Sequence, residues 1–325
     1  MNHFENFDCL YHATLHNVHS EFEHENSPRG QSEYEVVGYS ARLQNPRSRY
    51  SLSIERKQNI VFNFAEALWY LSGRNDLAFI QYYAPSMEKY SPDGITLPGT
   101  GYGKRLRHYA PNDLDQIERA IDVLKNDDAD SKRVVLQIFS ADEDIYKHNI
   151  DVSCTLGLQL LLRDNRLNMV SFMRANDAYI GFLNDIFSFT FLQEYIAARI
   201  QCDLGHYTHQ VGSIHIYSQM MAKARDVISS QKIPLNSQQL PVMPSSTTKE
   251  TIMIVLSYEA SIRNAQESFD TLVNCNLPNY WKDILIMFWI YGEIKQGSQV
   301  PEKVLKYIHP YYRPFLENRW PRVWC

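Results

Sequence analysis

Alternating leucines between positions 155 and 163 (TLGLQLLLR) constrain the fold of this chain more than any other feature of its sequence. A period of two is the spacing of a β-strand with one buried face. We therefore predict strands over 155–163 and 166–174, joined by a turn at Asp164–Asn165. The residues predicted to share one face are Leu156, Leu158, Leu160 and Leu162. A hairpin with such a face needs a hydrophobic core to cover it.

Two amphipathic helices are predicted on either side of this hairpin along the chain. The first spans 54–72, where apolar residues recur at helical spacing and Gly73 follows as a C-terminal cap. Its apolar positions are Ile60, Phe64 and Leu68. The second spans 186–200, and its apolar side is formed by Phe189, Leu192, Ile196 and Ile200.

Strands are also predicted over 133–139 (RVVLQIF) and 213–218 (SIHIYS). Strands and helices mixed along one chain predict an α+β fold, with a mixed sheet and packed helices. The polar, proline-bearing stretch 232–248 is predicted to be a linker or a long loop. It separates a predicted catalytic core, 1–231, from a mostly helical C-terminal extension, 249–325.

The charge balance restricts the partners of the chain. Its 325 residues carry a formal net charge of −5. A protein that coats a nucleic acid polymer relies on many Lys and Arg contacts to phosphates, so this class is disfavoured. A single nucleotide in a local basic pocket fits the balance better.

The sequence also predicts a cytoplasmic protein with reduced thiols. The N-terminus has charges and histidines where a secretion signal needs an apolar stretch. The longest apolar run, Ile284 to Tyr291, is too short to span a bilayer. The five cysteines show neither CxxC spacing nor a disulfide framework. We expect no membrane association, no metal site, and free thiols of which one is reactive.

Cys154 is the candidate for that reactive thiol, because it lies directly before a predicted strand. A lone cysteine is more often buried and inert. A nucleophilic thiolate needs cationic or hydrogen-bonding neighbours that lower its pKa. The residues that can supply them, if the fold brings them close, are Arg174, Arg133 and Lys132.

A dense polar run, MRANDAYIGFLND, ends at Asp185 and lies between a predicted strand and a predicted helix. Its polar residues are Arg174, Asn176, Asp177, Asn184 and Asp185. A solvated loop explains the polarity, but strand-to-helix junctions are frequent ligand sites. His215 and Tyr217 are predicted to share one face of a later strand. As an isolated pair they are more often structural.

Taken together, these segments resemble the thymidylate synthase superfamily in order, spacing and local identity from about Arg29 to Tyr217. The resemblance implies a symmetric homodimer that uses 5,10-methylenetetrahydrofolate. It implies that Cys154 is the nucleophile that adds to C6 of a pyrimidine, that Glu66 organises water and proton transfers, and that Tyr102 is the tyrosine of the YGK segment. The implied phosphate-binding residues are Arg29, Arg174, and the pair Lys132 and Arg133, which reaches into the partner's site. Asp177 and Gly181 are implied to bind the folate, and His215 and Tyr217 a sugar hydroxyl.

Two departures from the synthases point to a hydroxymethylase. Asp185 stands where the synthases have an asparagine that reads uracil, and a carboxyl group can accept from the exocyclic amine of cytosine and, when protonated, donate to N3. Thr155 stands where the synthases have histidine. Both residues are similar to the cytidylate hydroxymethylase branch, in which water adds to the one-carbon unit instead of hydride. We expect Glu66 to position that water.

The sugar of the substrate is predicted to be ribose. Deoxycytidylate hydroxymethylases of phages look like SRR and MRSND, whereas this chain has Ser131-Lys132-Arg133 and MRAND, with Ala175 in place of the serine. Lys132 replaces a planar fork by a point charge, and Ala175 removes a hydroxyl. The combination looks like the CMP hydroxymethylases that supply antibiotic pathways. The alternatives are dCMP hydroxymethylation, thymidylate synthesis on dUMP, and a nucleotide-binding or RNA-binding protein without the chemistry.

Overall fold

Seven strands of the described part of the chain form one mixed sheet in this computed structural model, which describes residues 2–145 and 149–325. The strands are β1 (Asn2–Phe4), β2 (His24–Asn26), β3 (Glu33–Leu43), β4 (Val135–Gln137), β5 (Thr155–Arg163), β6 (Arg166–Asp177) and β7 (Asp203–Tyr217). Their order across the sheet is β1-β3-β7-β6-β5-β4, and β2 pairs with β3. β6 and β7 are parallel, whereas β3 and β7 are antiparallel, as are β5 and β6.

The α-helices pack around this sheet and continue beyond it toward the C-terminus. They are α1 (Phe7–Ser20), α2 (Ile60–Leu71), α3 (Leu77–Tyr83), α4 (Tyr102–Arg107), α5 (Gln116–Asp122), α6 (Ala141–Asp144), α7 (Gly181–Ile200), α8 (Met221–Ile228), α9 (Lys249–Arg263), α10 (Phe269–Asn274), α11 (Asn279–Lys295) and α12 (Arg313–Arg319). The predicted α+β fold is therefore confirmed. No helix of the described residues has both the length and the apolar character that crossing a membrane requires.

The predicted hairpin is present as β5 and β6. Asp164 and Asn165 both have positive φ angles, 49° and 55°, which is the backbone of a type I′ turn. Aspartate and asparagine tolerate this conformation better than most residues, so the turn follows from the local sequence. β6 continues past the predicted end at 174 to Asp177, which carries its last residues to the beginning of α7.

The prediction that four leucines of β5 share one buried face is wrong at its first member. Leu158 and Leu160 are fully buried, but Leu156 is 42% exposed. The register of β5 against β6 shifts between Thr155 and Gly157, and this irregularity breaks the alternation. As a result, Thr155 is turned into the core, beside the nucleophile candidate.

Several predicted boundaries are also wrong. The helix predicted over 54–72 begins only at Ile60, because the Asn59 side chain caps it by accepting from the Phe62 amide. The strand predicted over 133–139 is limited to Val135–Gln137, and the strand predicted over 213–218 is the end of the longer β7. The helix predicted over 186–200 begins five residues earlier, at Gly181, so Asp185 lies on a helix.

Helix α2 is buried nearly all round rather than on one side. Eleven of its twelve residues are buried, with Phe62 the exception. α7 packs against one part of its surface and α11, from the C-terminal part of the chain, packs against another. The predicted amphipathic pattern therefore understated its burial, because the sequence does not reveal that a distant helix covers the remaining face.

The stretch 232–248 contains no helix or strand, but it is held in place by specific contacts. The Ile233 amide donates to the Leu52 carbonyl at 2.6 Å, and the Met243 amide donates to Glu194 at 3.1 Å. Glu194 is buried on α7 and also accepts from Arg47 and Arg49. This carboxylate thus joins the segment that follows β3, α7 and the stretch that leads to the C-terminal helices.

We expect Glu194→Ala to lower the free energy of unfolding by about 3–5 kcal/mol, because it leaves the Arg49 guanidinium buried without its partner. Denaturant unfolding followed by circular dichroism measures this change. Asp226→Ala is the matched control, since Asp226 forms an exposed pair with Arg225 and its removal should cost less than about 0.5 kcal/mol. Equal costs for the two variants would contradict the assigned role of Glu194.

Candidate active site

Cys154 lies immediately before β5 with a guanidinium at its side. The Arg174 side chain approaches the Cys154 sulfur with Nη2 at 3.7 Å, and its Nε donates to the Ser153 carbonyl at 2.8 Å. Burial raises the pKa of the Cys154 thiol above its ordinary value, and the charges of Arg174 and Arg29 oppose that rise. The two cations therefore favour the thiolate, but burial has the larger effect and the pKa stays above its ordinary value.

The Arg29 side chain also contacts the loop that precedes Cys154. It stands in the left-handed region with φ 52°, just before β3, and its Nη1 donates to the Ile150 carbonyl at 3.2 Å. Arg174 donates to the Val152 carbonyl of the same loop at 3.1 Å. Two guanidinium groups thus lie on the loop that precedes Cys154, which is a suitable arrangement for binding a phosphate.

The polar run is divided between two elements that meet at one point. Asn176 and Asp177 end β6, whereas Asp185 lies in the second turn of α7. The Asn176 amide Nδ2 donates to the Asp185 carboxyl at 2.7 Å. Burial raises the pKa of Asp185 to about 7, and the Asn176 hydrogen bond lowers it in part. The Asn176 hydrogen bond therefore holds the acid in place, and the pKa of the acid lies near neutrality.

A buried relay fixes the direction of the Asn176 amide. Its Oδ1 lies 3.0 Å from His209 Nε2 on β7. His209 Nδ1 lies 2.7 Å from the Tyr207 hydroxyl and 3.0 Å from Ser171 Oγ. Burial lowers the pKa of His209 to about 3, so the ring is neutral. With Nδ1 accepting from a hydroxyl, Nε2 carries the proton and donates to Asn176, which leaves the amide nitrogen for Asp185.

Gly181 is required where β6 and α7 meet. A Cβ at this position would lie 2.9 Å from Asn176 Nδ2 and 3.5 Å from an Asp185 oxygen. Any other residue would displace the amide that holds the acid. This position was predicted to contact the folate, and its observed neighbours give it an additional steric role.

Glu66 projects from α2 toward the same acid. The Ser188 hydroxyl of α7 donates to Glu66 Oε2 at 2.8 Å. Burial raises the pKa of Glu66 to about 8, the nearby Asp185 charge raises it further, and the Ser188 hydrogen bond lowers it. Two acids with raised pKa values near neutrality are a feature of sites that transfer protons.

Tyr102, at the start of α4, lies beside Thr155. The Thr155 hydroxyl donates to the Tyr102 hydroxyl at 3.1 Å, and both side chains are buried. Burial raises the pKa of Tyr102 well above its ordinary value, and the Asp185 and Cys154 charges add to the effect. Tyr102 is therefore a neutral hydroxyl at the edge of the thiol and acid cluster.

Asp177, the last residue of β6, makes contacts of its own. Its Oδ1 accepts from the Tyr179 amide at 2.9 Å, and burial raises its pKa to about 6. Arg56 lies nearby, with its guanidinium 5.1 Å from the centre of the Tyr179 ring. The carboxyl, the aromatic ring and the cation together form a surface that fits a planar ring with hydrogen-bond donors.

The residues predicted at the sugar and phosphate lie on neighbouring strands. The rings of His215 and Tyr217 lie 5.0 Å apart on β7. Ala175 on β6 pairs with Ser213 of β7, next to Arg174. Burial raises the pKa of Tyr217 to about 12. His215 and Tyr217 are both on β7, as predicted, and the charge of Arg174 acts on His215.

Lys132 and Arg133 are not brought to Cys154 of their own chain. They precede β4, in which Val135 pairs with Gln159. Gln159 is five residues from Cys154, about 17 Å along the strand, and Lys132 and Arg133 lie farther still. The Arg133 side chain is 67% exposed and contacts Asp127 at 3.6 Å.

The sequence-based set missed three side chains that support the site. Ser188 holds Glu66, His209 orients Asn176, and Asn176 itself was noticed in the polar run but given no role. A signal existed for His209, because it shares the odd-numbered face of β7 with His215 and Tyr217. Ser188 lies one helical turn after Asp185 and was detectable once the helix was extended.

We expect Arg174→Met to slow alkylation of Cys154 by iodoacetamide about tenfold at neutral pH, because loss of the adjacent cation raises the pKa of the thiol. Methionine retains much of the apolar bulk that covers the sulfur. Peptide mass spectrometry measures the rate, and exposed Cys9 in the same sample is the internal control. An unchanged rate at Cys154 would show that Arg174 does not govern its ionisation.

Comparison with known proteins agrees with this geometry. The family model described as thymidylate synthase matches residues 10–260. A deoxyuridylate hydroxymethyltransferase of Pseudomonas phage M6 is 30% identical over 198 residues, 60% of this chain and 55% of the relative. A protein of the same name from Bacillus phage SP01 is 29% identical over 201 residues, 59% of this chain and 52% of the relative.

A thymidylate synthase of Francisella philomiragia is 25% identical over 223 residues, 65% of this chain and 80% of the relative. The chain thus spans little more than half the length of the two phage relatives. The match to the family model, by contrast, covers most of this chain and includes every residue assembled above from Arg29 to Tyr217. This chain belongs to the thymidylate synthase family.

Proposed function

We propose that this protein hydroxymethylates C5 of the cytosine of CMP, with 5,10-methylenetetrahydrofolate as one-carbon donor and water as the source of the hydroxyl. The observation that carries the proposal is the buried Asp185 carboxyl, held by Asn176 and with its pKa raised to about 7. A protonated carboxyl donates to the unprotonated N3 of cytosine and accepts from its exocyclic amine. Uracil presents an N3–H and a carbonyl instead, and an asparagine amide at this position would match them.

The covalent chemistry requires a thiolate, and Cys154 is placed for it. Its sulfur forms a bond to C6 as the C5–C6 double bond opens, so that C5 becomes nucleophilic. C5 then bonds the one-carbon unit and loses its proton, and the bond between that carbon and the folate nitrogen breaks to leave an exocyclic methylene. Hydroxide from water adds to the methylene carbon, and the sulfur leaves C6 as the C5–C6 double bond re-forms. The folate supplies the carbon unit and leaves unoxidised as tetrahydrofolate.

Glu66 is the group that we assign to the water and to the proton from C5. Its carboxyl is held by Ser188 and has a pKa of about 8, so it exchanges a proton near neutrality. The Tyr102 hydroxyl, which accepts from Thr155, is a neutral group in the same cluster, near Asp185 and Cys154. A water-adding enzyme needs polar groups of this kind next to the reacting carbon.

Asp177 is the residue that we assign to the folate. Its carboxyl accepts from the Tyr179 amide and lies beside Arg56 and the Tyr179 ring. Such a group can accept from the donors of a pterin ring. Gly181 contributes by keeping the neighbouring backbone close.

Arg29 and Arg174 are assigned to the phosphate, and the lack of a side-chain hydroxyl at Ala175 supports ribose over deoxyribose. Lys132 in place of an arginine supports the same preference, because a point charge constrains a phosphate less than a planar fork. Supply of an antibiotic pathway stays a prediction from the resemblance.

A homodimer is proposed from the position of Lys132 and Arg133. These cations lie too far from their own Cys154 to contact the same phosphate, and Arg133 is largely exposed. A two-fold axis across the open face of the sheet would let each chain offer the pair to its partner's site.

Hydroxymethylation of dUMP is the second candidate, because the two phage relatives carry the name deoxyuridylate hydroxymethyltransferase. It shares the chemistry of Cys154 and differs in the base and the sugar. The character of Asp185 supports cytosine, so the two candidates are separated by the base that reacts.

We expect an equimolar mixture of CMP, dCMP, UMP and dUMP, incubated with methylenetetrahydrofolate, to yield a hydroxymethyl product first from CMP. In Asp185→Asn, turnover of the cytosine nucleotides should fall at least about 100-fold, and uracil nucleotides should begin to react. Mass spectrometry of the nucleotides measures both results. Methylated dUMP from the wild-type protein would instead indicate a thymidylate synthase.

Asp283→Asn is the matched control for this variant. Asp283 is also buried, and burial raises its pKa to about 7, but it lies on α11. Its substitution should leave the base preference unchanged.

Turnover of CMP by the wild-type protein should decline as the pH rises through about 7, because Asp185 then loses the proton that it donates. An unaltered base preference in Asp185→Asn would disprove Asp185 as the base reader.

We expect a mixture of the variants Cys154→Ala and Arg133→Ala to regain about a quarter of wild-type activity after joint refolding, since half the dimers are mixed and one of their two sites is complete. Each variant alone should be nearly inactive. Activity assays before and after mixing measure the gain. No gain would show that Arg133 acts within its own chain or that the sites do not share residues.

A further inference from the structure

A buried polar pair between β3 and β7 is not used by the chemistry proposed above. Glu33, the first residue of β3, is 3% exposed, and His215 of β7 is 6% exposed. Glu33 Oε2 and His215 Nε2 face each other at 3.5 Å. Glu33 pairs across the strands with Tyr217, and His215 pairs with Glu35.

This pair lacks the hydrogen bonds that buried polar groups normally make. Among the described residues, Glu33 Oε2 and both ring nitrogens of His215 are buried without a hydrogen-bond partner. Unpaired buried groups of this kind are uncommon in folded proteins and costly. A ligand group that reached this pair would supply the hydrogen bonds that it lacks.

The position of the pair defines which part of a ligand would reach it. Glu33 is four residues after Arg29, and His215 pairs on its other side with Asp177 of β6. The charges of Glu33, Asp177 and Cys154 all act on the Tyr217 hydroxyl, so all three groups lie near it. In the proposed function, the phosphate lies at Arg29 and Arg174 and the base at Cys154 and Asp185. The sugar must lie between them, at Glu33 and His215.

We propose that Glu33 hydrogen-bonds the 2′-hydroxyl of a ribonucleotide and thereby determines the choice of ribose over deoxyribose, beside the sugar-hydroxyl contact that the family resemblance implies for His215. This inference rests on the proposed placement of the phosphate and base. A carboxylate side chain is the group that dinucleotide-binding proteins use for a ribose hydroxyl. Either protonation state of Glu33 serves, because the anion accepts from a hydroxyl and the acid donates to its oxygen.

Glu33 is expected to favour ribonucleotides over deoxyribonucleotides. A ribonucleotide satisfies the unpaired Glu33 oxygen, whereas a deoxyribonucleotide leaves it buried and unpaired. A hydrogen bond to such a group corresponds to about 10- to 100-fold in affinity. Ala175 acts differently, because it removes a competing hydroxyl and makes no bond of its own.

The test is calorimetric titration of CMP, dCMP, UMP and dUMP into wild-type protein and Glu33→Ala, without folate. We expect Glu33→Ala to weaken binding of the ribonucleotides 10- to 100-fold, with the deoxyribonucleotides changed by less than about threefold. Glu33→Gln, which retains size and one acceptor, should give an intermediate loss and guards against misfolding of the alanine variant. Thermal melting of all variants checks the fold.

Glu35→Ala is the matched control. Glu35 lies two residues farther along β3, and its carboxylate is already paired with Asn26 and Ser213. Its removal should leave the ratio of ribose to deoxyribose affinity unchanged. A ratio that is also unchanged in Glu33→Ala, or a wild-type preference for deoxyribonucleotides, would overturn the inference.

The same titrations separate this inference from the proposed base preference. If Asp185 does not select cytosine, UMP binds as well as CMP, yet the ratio of UMP to dUMP affinity still responds to Glu33→Ala. If Glu33 does not read the sugar, CMP remains preferred over UMP while the ratio of CMP to dCMP affinity is the same in Glu33→Ala as in wild type.

Discussion

The hydrogen bond from Asn176 to Asp185 is the contact on which the arrangement of the site depends. It joins the end of β6 to the beginning of α7, and both elements reach this point only because Gly181 allows the backbone to approach. The amide cannot turn over cheaply, since its oxygen is bonded to His209. Reversing it would break two buried hydrogen bonds and place two oxygens against each other. The acid is thus fixed by a relay that runs through two strands of the sheet, from Asn176 of β6 to His209 of β7, and on to the hydroxyl groups of Tyr207 and Ser171.

Burial of the site also determines which of the groups around the Cys154 thiol are charged. Glu33, Glu66, Asp177 and Asp185 all have raised pKa values, between about 6 and about 8. The arginines of the site bond to backbone carbonyls of the loop before Cys154. The acids therefore retain protons easily, and the cations are not neutralised by them. Such a site favours an anionic group beside the arginines.

How far the sequence predicts this molecule depends on the range of the interactions involved. The hairpin of β5 and β6 follows from alternation and from two turn residues that tolerate positive φ, and the prediction of it was confirmed. The irregularity at Thr155 was not predictable, because a bulge depends on the partner strand. The sequence did not indicate a role for Glu33, because the contact that singles it out is with His215. That residue lies 182 positions away and meets Glu33 only across β3 and β7. Local patterns thus identified the elements, and cross-strand contacts determined the site.

The C-terminal helices carry no readable motif, yet they are coupled to the site by packing. Near the end of α12, the Asn318 side chain donates to the Ile54 carbonyl and Arg319 donates to that of Lys57, on both sides of Arg56. Arg56 in turn bonds to the Tyr11 hydroxyl and lies over Tyr179, beside Asp177. α11 meanwhile covers part of α2, the helix that carries Glu66. Burial is the main cause of the raised pKa of Glu66, and α11 is one of the elements that bury the helix carrying it.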